Sequence, residues 1–277
     1  MPAQLIRNGL VQWPRLATVL TAMRHGFLER SRALANRLDT GIAPLLDGWI
    51  ALVALVTLAK VALAGPQAGG IGASLAMAFP FLLAAMAPVL GYRIAAAAFP
   101  RGTMYAQPRL RLARYGLWRD LDALGARNHH YFGPAGILVS LIAGIALNVP
   151  FRTGEFLLAM PAMPVDAPQW ASTMLFAMTF DLVVMNFLYM VCFVMALRAV
   201  PWFPRMLGAA WLIDICMQLA IAREVAHAPH LPEAVVAPLL EMLDGNLHKV
   251  LISMALWLPY LILSERVNVT YRHRVRA

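Results

Sequence analysis

The chain has 277 residues, of which 61% are hydrophobic and only 13% charged, with a formal net charge of +9 and a mean hydropathy of +0.66. A soluble domain is usually about half apolar and a quarter charged, so a soluble globular fold is excluded and an integral membrane protein is expected. The two cysteines, Cys192 and Cys216, lie in apolar runs without metal or redox spacing and are read as small buried hydrophobes.

Residues 1–47 lack the continuous apolar core of a secretory signal. Instead Ile6, Leu10, Trp13, Leu16, Leu20, Met23, Phe27, Leu34 and Leu38 recur at three- or four-residue steps with one gap, and six arginines are interspersed. The pattern predicts a basic amphipathic helix, broken at Pro14, that lies on anionic headgroups. An apolar face packed on the bundle or on a partner subunit is the alternative.

A span needs about 20 mostly apolar residues. Six runs qualify, at 48–65, 71–92, 134–150, 172–197, 206–222 and 248–264, the third and fifth being short. Between the second and third, Leu112, Tyr115, Trp118, Leu121 and Leu124 recur every three residues among arginines, which predicts a second surface helix. Of the 23 Lys and Arg, all but Lys60, Arg152, Arg223 and Lys249 fall in segments on one side of this arrangement. That bias places both termini in the cytoplasm, and an even number of spans agrees in putting them on one side. The basic balance is therefore explained by orientation, and no nucleic-acid partner is expected.

Charges within a span are costly, by roughly 2.5–3.5 kcal/mol at mid-helix on the insertion scale, and mark candidate sites. Lys60 is near enough to the end of its span to snorkel. Asp181 shares a helical face with Met174, Met178, Met185 and Cys192, and Asp214 shares one with Trp211 and Gln218. At about 1.5 Å per residue both aspartates sit roughly 12–14 Å deep, on helices joined by a short connection. The two carboxyls are placed to approach each other and share a proton, as a proton relay or cation site. Interhelical hydrogen bonding is the structural alternative.

In the loop after the fifth span, Glu224, His227, His230 and Glu233 recur every three residues, a spacing that would gather metal ligands on a continuous helix. Pro229 and Pro232 interrupt that helix, so an exposed polar loop competes with a metal site. Met160 and Met163 are possible soft ligands, and His129 and His130 are read as interfacial. No phosphate-cradling glycine loop, nucleophile elbow or metalloprotease motif is present, and no cofactor is expected.

At the C-terminus, "WLPYLILSERVNVTY" with Trp257, Pro259, Tyr260, Ser264, Arg266, Val267, Thr270 and Tyr271 resembles the closing signature of a bacterial four-span membrane family known as domain of unknown function 2569. Asp181, Asn186, Arg198, Phe203 and Pro204 are similar to its middle section, and "GPAGILVSLIAGIAL" to its first span. Glu265, Asn268 and Tyr271 depart from the pattern. The resemblance covers roughly residues 133–275 and implies a helical inner-membrane unit with no established activity. Physically, Pro259 is expected to kink the last span, Ser264 to cap the freed backbone, and Arg266 with the arginines after it to anchor the helix end in headgroups.

The expected fold is an all-α membrane protein, a six-span bundle with basic amphipathic helices on the cytoplasmic face. Its expected parts are a cytoplasmic segment 1–47, a two-span hairpin 48–92, a basic linker helix 93–132 and a four-span unit 133–277. The expected function is a non-enzymatic accessory subunit of a larger membrane complex, set in a bilayer with anionic headgroups. The alternative is a proton- or cation-coupled transporter using Asp181 and Asp214, with Asn186 and Gln218 beside them.

Overall fold

The computed structural model describes residues 2–65, 70–110, 112, 114–164, 166–227 and 232–277, with side chains for all of these except 2–17, 20, 233 and 234. The chain is an all-α six-span bundle. The spans are α1 (Pro2–Leu63), α2 (Gly70–Ala98), α4 (Ile137–Ala159), α5 (Gln169–Leu197), α6 (Phe203–His227) and α7 (Glu233–Leu263), each long and apolar enough to cross a bilayer. The short elements β1 (Trp118–Asp120), α3 (Ala123–Asn128), α8 (Glu265–Arg272) and β2 (Arg274–Arg276) gather at the end that carries most of the arginines, here called the basic end.

The amphipathic segment and the first span are one helix. α1 is a single helix that runs without interruption through Gly41 and Gly48; the break expected at Pro14 falls on 2–17, outside the fully described residues. A helix that lies flat on headgroups and then crosses the bilayer must turn sharply, and sharp turns need a break in the backbone ladder. At about 1.5 Å per residue, α1 is roughly 90 Å long against roughly 30 Å of hydrocarbon. It therefore projects well beyond the bundle. On the way out Ser31, Ala35, Ile42 and Leu46 are buried against the other helices, and the Ser31 hydroxyl accepts a 2.7 Å bond from the Gly136 amide.

The most extensive helix pairing among the described residues joins α2 to α5. Ala84, Pro88, Gly91 and Ala95 form a small-residue face on α2, the arrangement that lets backbones approach in a membrane. At Gly91 the approach is close: a Cβ there would lie 2.6 Å from the Phe187 carbonyl oxygen. The hairpin 48–92 is thus built into the bundle through α5 rather than set beside a four-span unit.

Two further boundaries differ from expectation. α4 continues through Pro150 to Ala159, adding Arg152 and Glu155 to a span read as ending at 150. The linker 93–132 is not a helix: after α2 the chain is irregular, then forms β1 and the six-residue α3. β1 pairs antiparallel with β2, Trp118 opposite Arg276 and Asp120 opposite Arg274, so the linker and the C-terminal tail close the basic end together.

Candidate functional site

Arg152 stands between Asp181 and Asp214. Its guanidinium forks onto Asp214, Nη1 donating to Oδ2 and Nη2 to Oδ1, both at 2.9 Å, and Nη2 also donates to Asp181 Oδ2 at 2.6 Å. The Tyr189 hydroxyl donates to Asp214 Oδ2 at 2.8 Å, and Gln218 Nε2 reaches Asp181 Oδ2 at 3.2 Å. All three charged groups are buried. Their helices place them by helical spacing: Arg152 follows Ile145 and Asn148 along α4, Asp181 precedes Met185 and Tyr189 on α5, and Asp214 lies between Trp211 and Gln218 on α6.

The aspartates do approach each other, but through a guanidinium rather than a shared proton. A planar guanidinium suits bidentate carboxylate recognition, and a buried charge is tolerable only when paired. One cation against two carboxylates leaves the cluster one negative charge in excess when both are ionised. Four of its polar atoms, Arg152 Nε, Asp181 Oδ1, Asn186 Oδ1 and Gln218 Oε1, are buried without a partner. Asn186 stands one layer away, where its amide donates to Thr153 Oγ1 at 2.8 Å.

Sequence reasoning missed Arg152 and Tyr189. The available signal was length: the run 134–150 is short for a span, and extending it by two turns brings Arg152 onto the face shared by Leu141, Ile145 and Asn148.

A groove of about 440 Å³ opens beside the cluster, within the usual size of a ligand site. One wall comes from α4 and the other from α7, with Tyr189 and Trp211 behind. It exists because α4 packs on α5 while α7 packs on α6, leaving a gap between α4 and α7. Lys249 on α7 pairs with Glu155 on α4 across the mouth. A second cavity of about 20 Å³, lined by Arg152, Glu155, Asp181 and Asn246 among others, shares three of those residues with the groove.

Lys60 is half-buried near the end of its span. Its ammonium donates to the Met160 carbonyl at 2.8 Å and lies 5.4 Å over the Phe81 ring, a cation at the C-terminus of α4 where the helix dipole favours one. Glu224 and His227 are exposed on the last turns of α6, and the His227 ring bonds the Arg223 carbonyl. His230 and the Glu233 side chain lie outside the described residues, and among those described no group of three metal-ligating side chains converges. Met163 lies in the loop after α4, and His129 and His130 stack at 4.4 Å beside Tyr131.

The C-terminal signature is an internal clasp. Arg266 is buried and donates to the Tyr131 and Gly133 carbonyls at 3.2 and 3.3 Å, so it is not the headgroup anchor expected of it. Arg274 is buried too, stacked 5.1 Å from the Trp118 ring. Ser264 makes no side-chain cap; its carbonyl accepts from Asn268, backbone and side chain. Pro259 is accommodated inside α7, which runs to Leu263. Trp257 and Tyr260 meet edge to face at 5.9 Å, and Tyr271 is buried against Phe203 with its hydroxyl on the Ala196 carbonyl. Burial of the guanidinium and the nearby Arg274 and Arg205 charges pull Arg272 down to about 10.

No protein-family model, curated protein or solved structure matches the chain. Its chemistry is therefore read from its own residues.

Proposed function

We propose that this chain is a non-enzymatic accessory subunit of a larger complex in a bacterial inner membrane, with both termini in the cytoplasm. The carrying observation is the projecting part of α1. Val19, Met23, Phe27 and Leu34 are each roughly half exposed or more on one helical face, and that face continues into Leu45, Leu52 and Leu55 within the span. Because the helix does not bend onto the surface, lipid covers only the membrane portion of the stripe. The remainder, bordered by Arg24 and interrupted by Arg30 and Arg37, suits an acidic amphipathic partner helix. The orientation rests on the concentration of Lys and Arg at the basic end.

Native electrophoresis with mass spectrometry of the tagged protein in mild detergent tests this. A stoichiometric partner, lost on Met23→Asp with Phe27→Asp while the chain stays folded, is expected. A monomer or homo-oligomer alone would overturn it.

Proton- or cation-coupled transport is the second reading, favoured by the negative charge excess of the buried cluster beside a groove that is polar at one end. It requires that Asp181→Asn and Asp214→Asn abolish a proton-linked flux in vesicles without unfolding the protein. A loss of thermal stability alone assigns the aspartates to structure.

A further inference from the structure

The groove between α4 and α7 is amphipathic along its length. Its end nearer the basic face is lined by Leu141, Ile145, Val250 and Trp257, and its other end by Asn148, Glu155, Asn246 and Lys249, with Arg152 between α4 and the interior. Polar groups at one end and a hydrocarbon-like wall along the rest match a molecule with a head and a chain, entering sideways through the α4/α7 gap. We propose that this groove holds one chain and the head of an ethanolamine phospholipid drawn from the leaflet opposite the basic end.

The head is chosen by charge and by donors. Glu155, Asp181 and Asp214 oppose Arg152 and Lys249, so the site carries one negative charge more than positive, and an anionic head would add to the excess. Choline and ethanolamine heads are both net neutral and both set a cation against the carboxylates, but a quaternary ammonium has no N–H to give. Asp181 is 3% exposed and its Oδ1 has no donor, and it lines the small cavity that Glu155 and Asn246 also line. That cavity, about 20 Å³, has room for one water-sized group. A primary ammonium fits that volume and brings three donors. As the ammonium takes the place of Lys249 on Glu155, Lys249 is released to the lipid phosphate. The second chain stays in the bilayer, because about 440 Å³ accommodates one. The site is separate from the docking face of α1, and a variant in the groove leaves that face intact.

The test uses the full chain in nanodiscs of equimolar phosphatidylethanolamine, phosphatidylcholine and phosphatidylglycerol, followed by native mass spectrometry of retained lipid. Retention of the ethanolamine lipid by on the order of tenfold over the others is expected, falling to parity in Glu155→Gln. Gly144 lines the groove and a Cβ there meets nothing within 4 Å, so Gly144→Leu fills the groove without a backbone clash and is expected to release the lipid. Ser253→Phe repeats the block from the α7 wall. Equal retention of the three lipids, or undiminished ethanolamine lipid in both blocked variants, would show annular lipid only and overturn the proposal. Displacement of the bound lipid by free phosphoethanolamine at equal concentration would overturn the lipid in favour of a soluble ligand.

Discussion

Arg152 sets the energetics of the interior because it is the one cation, among the described residues, that bonds both buried carboxylates. Removing one member of a buried ion cluster leaves an uncompensated charge, whereas removing the whole cluster can be nearly neutral. Arg152→Met is therefore expected to destabilise the bundle by about 3–5 kcal/mol, and Arg152→Met combined with Asp181→Asn and Asp214→Asn to recover most of that loss. Thermal unfolding in one detergent checks both, and an undiminished loss in the triple variant would mean that Arg152 acts by packing. Asp214→Asn should cost more than Asp181→Asn, since Gln218 reaches both but Asp214 receives the guanidinium fork and the Tyr189 hydroxyl while Asp181 receives one guanidinium bond. The aspartates were legible in the sequence because a carboxylate in an apolar run is conspicuous. Their partner was not, because Pro150 and a polar stretch after it read as the end of a helix.

Helix pairing follows side-chain size more than sequence adjacency. α2 follows α1 directly in the chain, yet its small-residue face packs on α5, and nothing in the hydropathy of α2 distinguishes the two faces. Gly91→Ala tests that contact. The new methyl carbon would meet Phe187 backbone, which cannot swing away as a side chain would, so α2 must shift. A loss of about 1–3 kcal/mol is expected, against little change for Gly144→Ala, whose Cβ enters open space. Equal melting points for the two variants would mean that the α2–α5 contact is looser than described. The linker shows the opposite failure of pattern reading. Leu112, Tyr115, Trp118, Leu121 and Leu124 keep a helical step, but Trp118 and its neighbours pair with the last residues of the chain. That pairing is a contact between distant segments, and local periodicity carries no trace of it.

At the scale of the whole molecule, the spans were legible from hydropathy and the charge asymmetry from counting, whereas the use of the charges was not. The C-terminal arginines were expected in headgroups; instead Arg266 and Arg274 are buried in a cap that ties the tail to the loop before α4. His273 lies at the centre of this closure. It ends α8 with a left-handed backbone, φ 47°, and its carbonyl accepts the Leu121 amide at 2.8 Å. Burial lowers its pKa below the ordinary histidine value, against a smaller opposing effect from Asp122. Near neutral pH the imidazole is uncharged in both folded and unfolded chains and has no effect on stability. As the pH falls through about 6.5 the unfolded chain binds the proton first, so the folded cap loses stability until the folded imidazole also titrates. Asn tolerates the left-handed backbone and has no such titration. His273→Asn is thus expected to flatten the fall in melting temperature between about pH 7 and 5, leaving the steeper loss at lower pH, where carboxylates protonate. An unchanged slope in the variant would assign the acid sensitivity of the fold to groups other than this histidine.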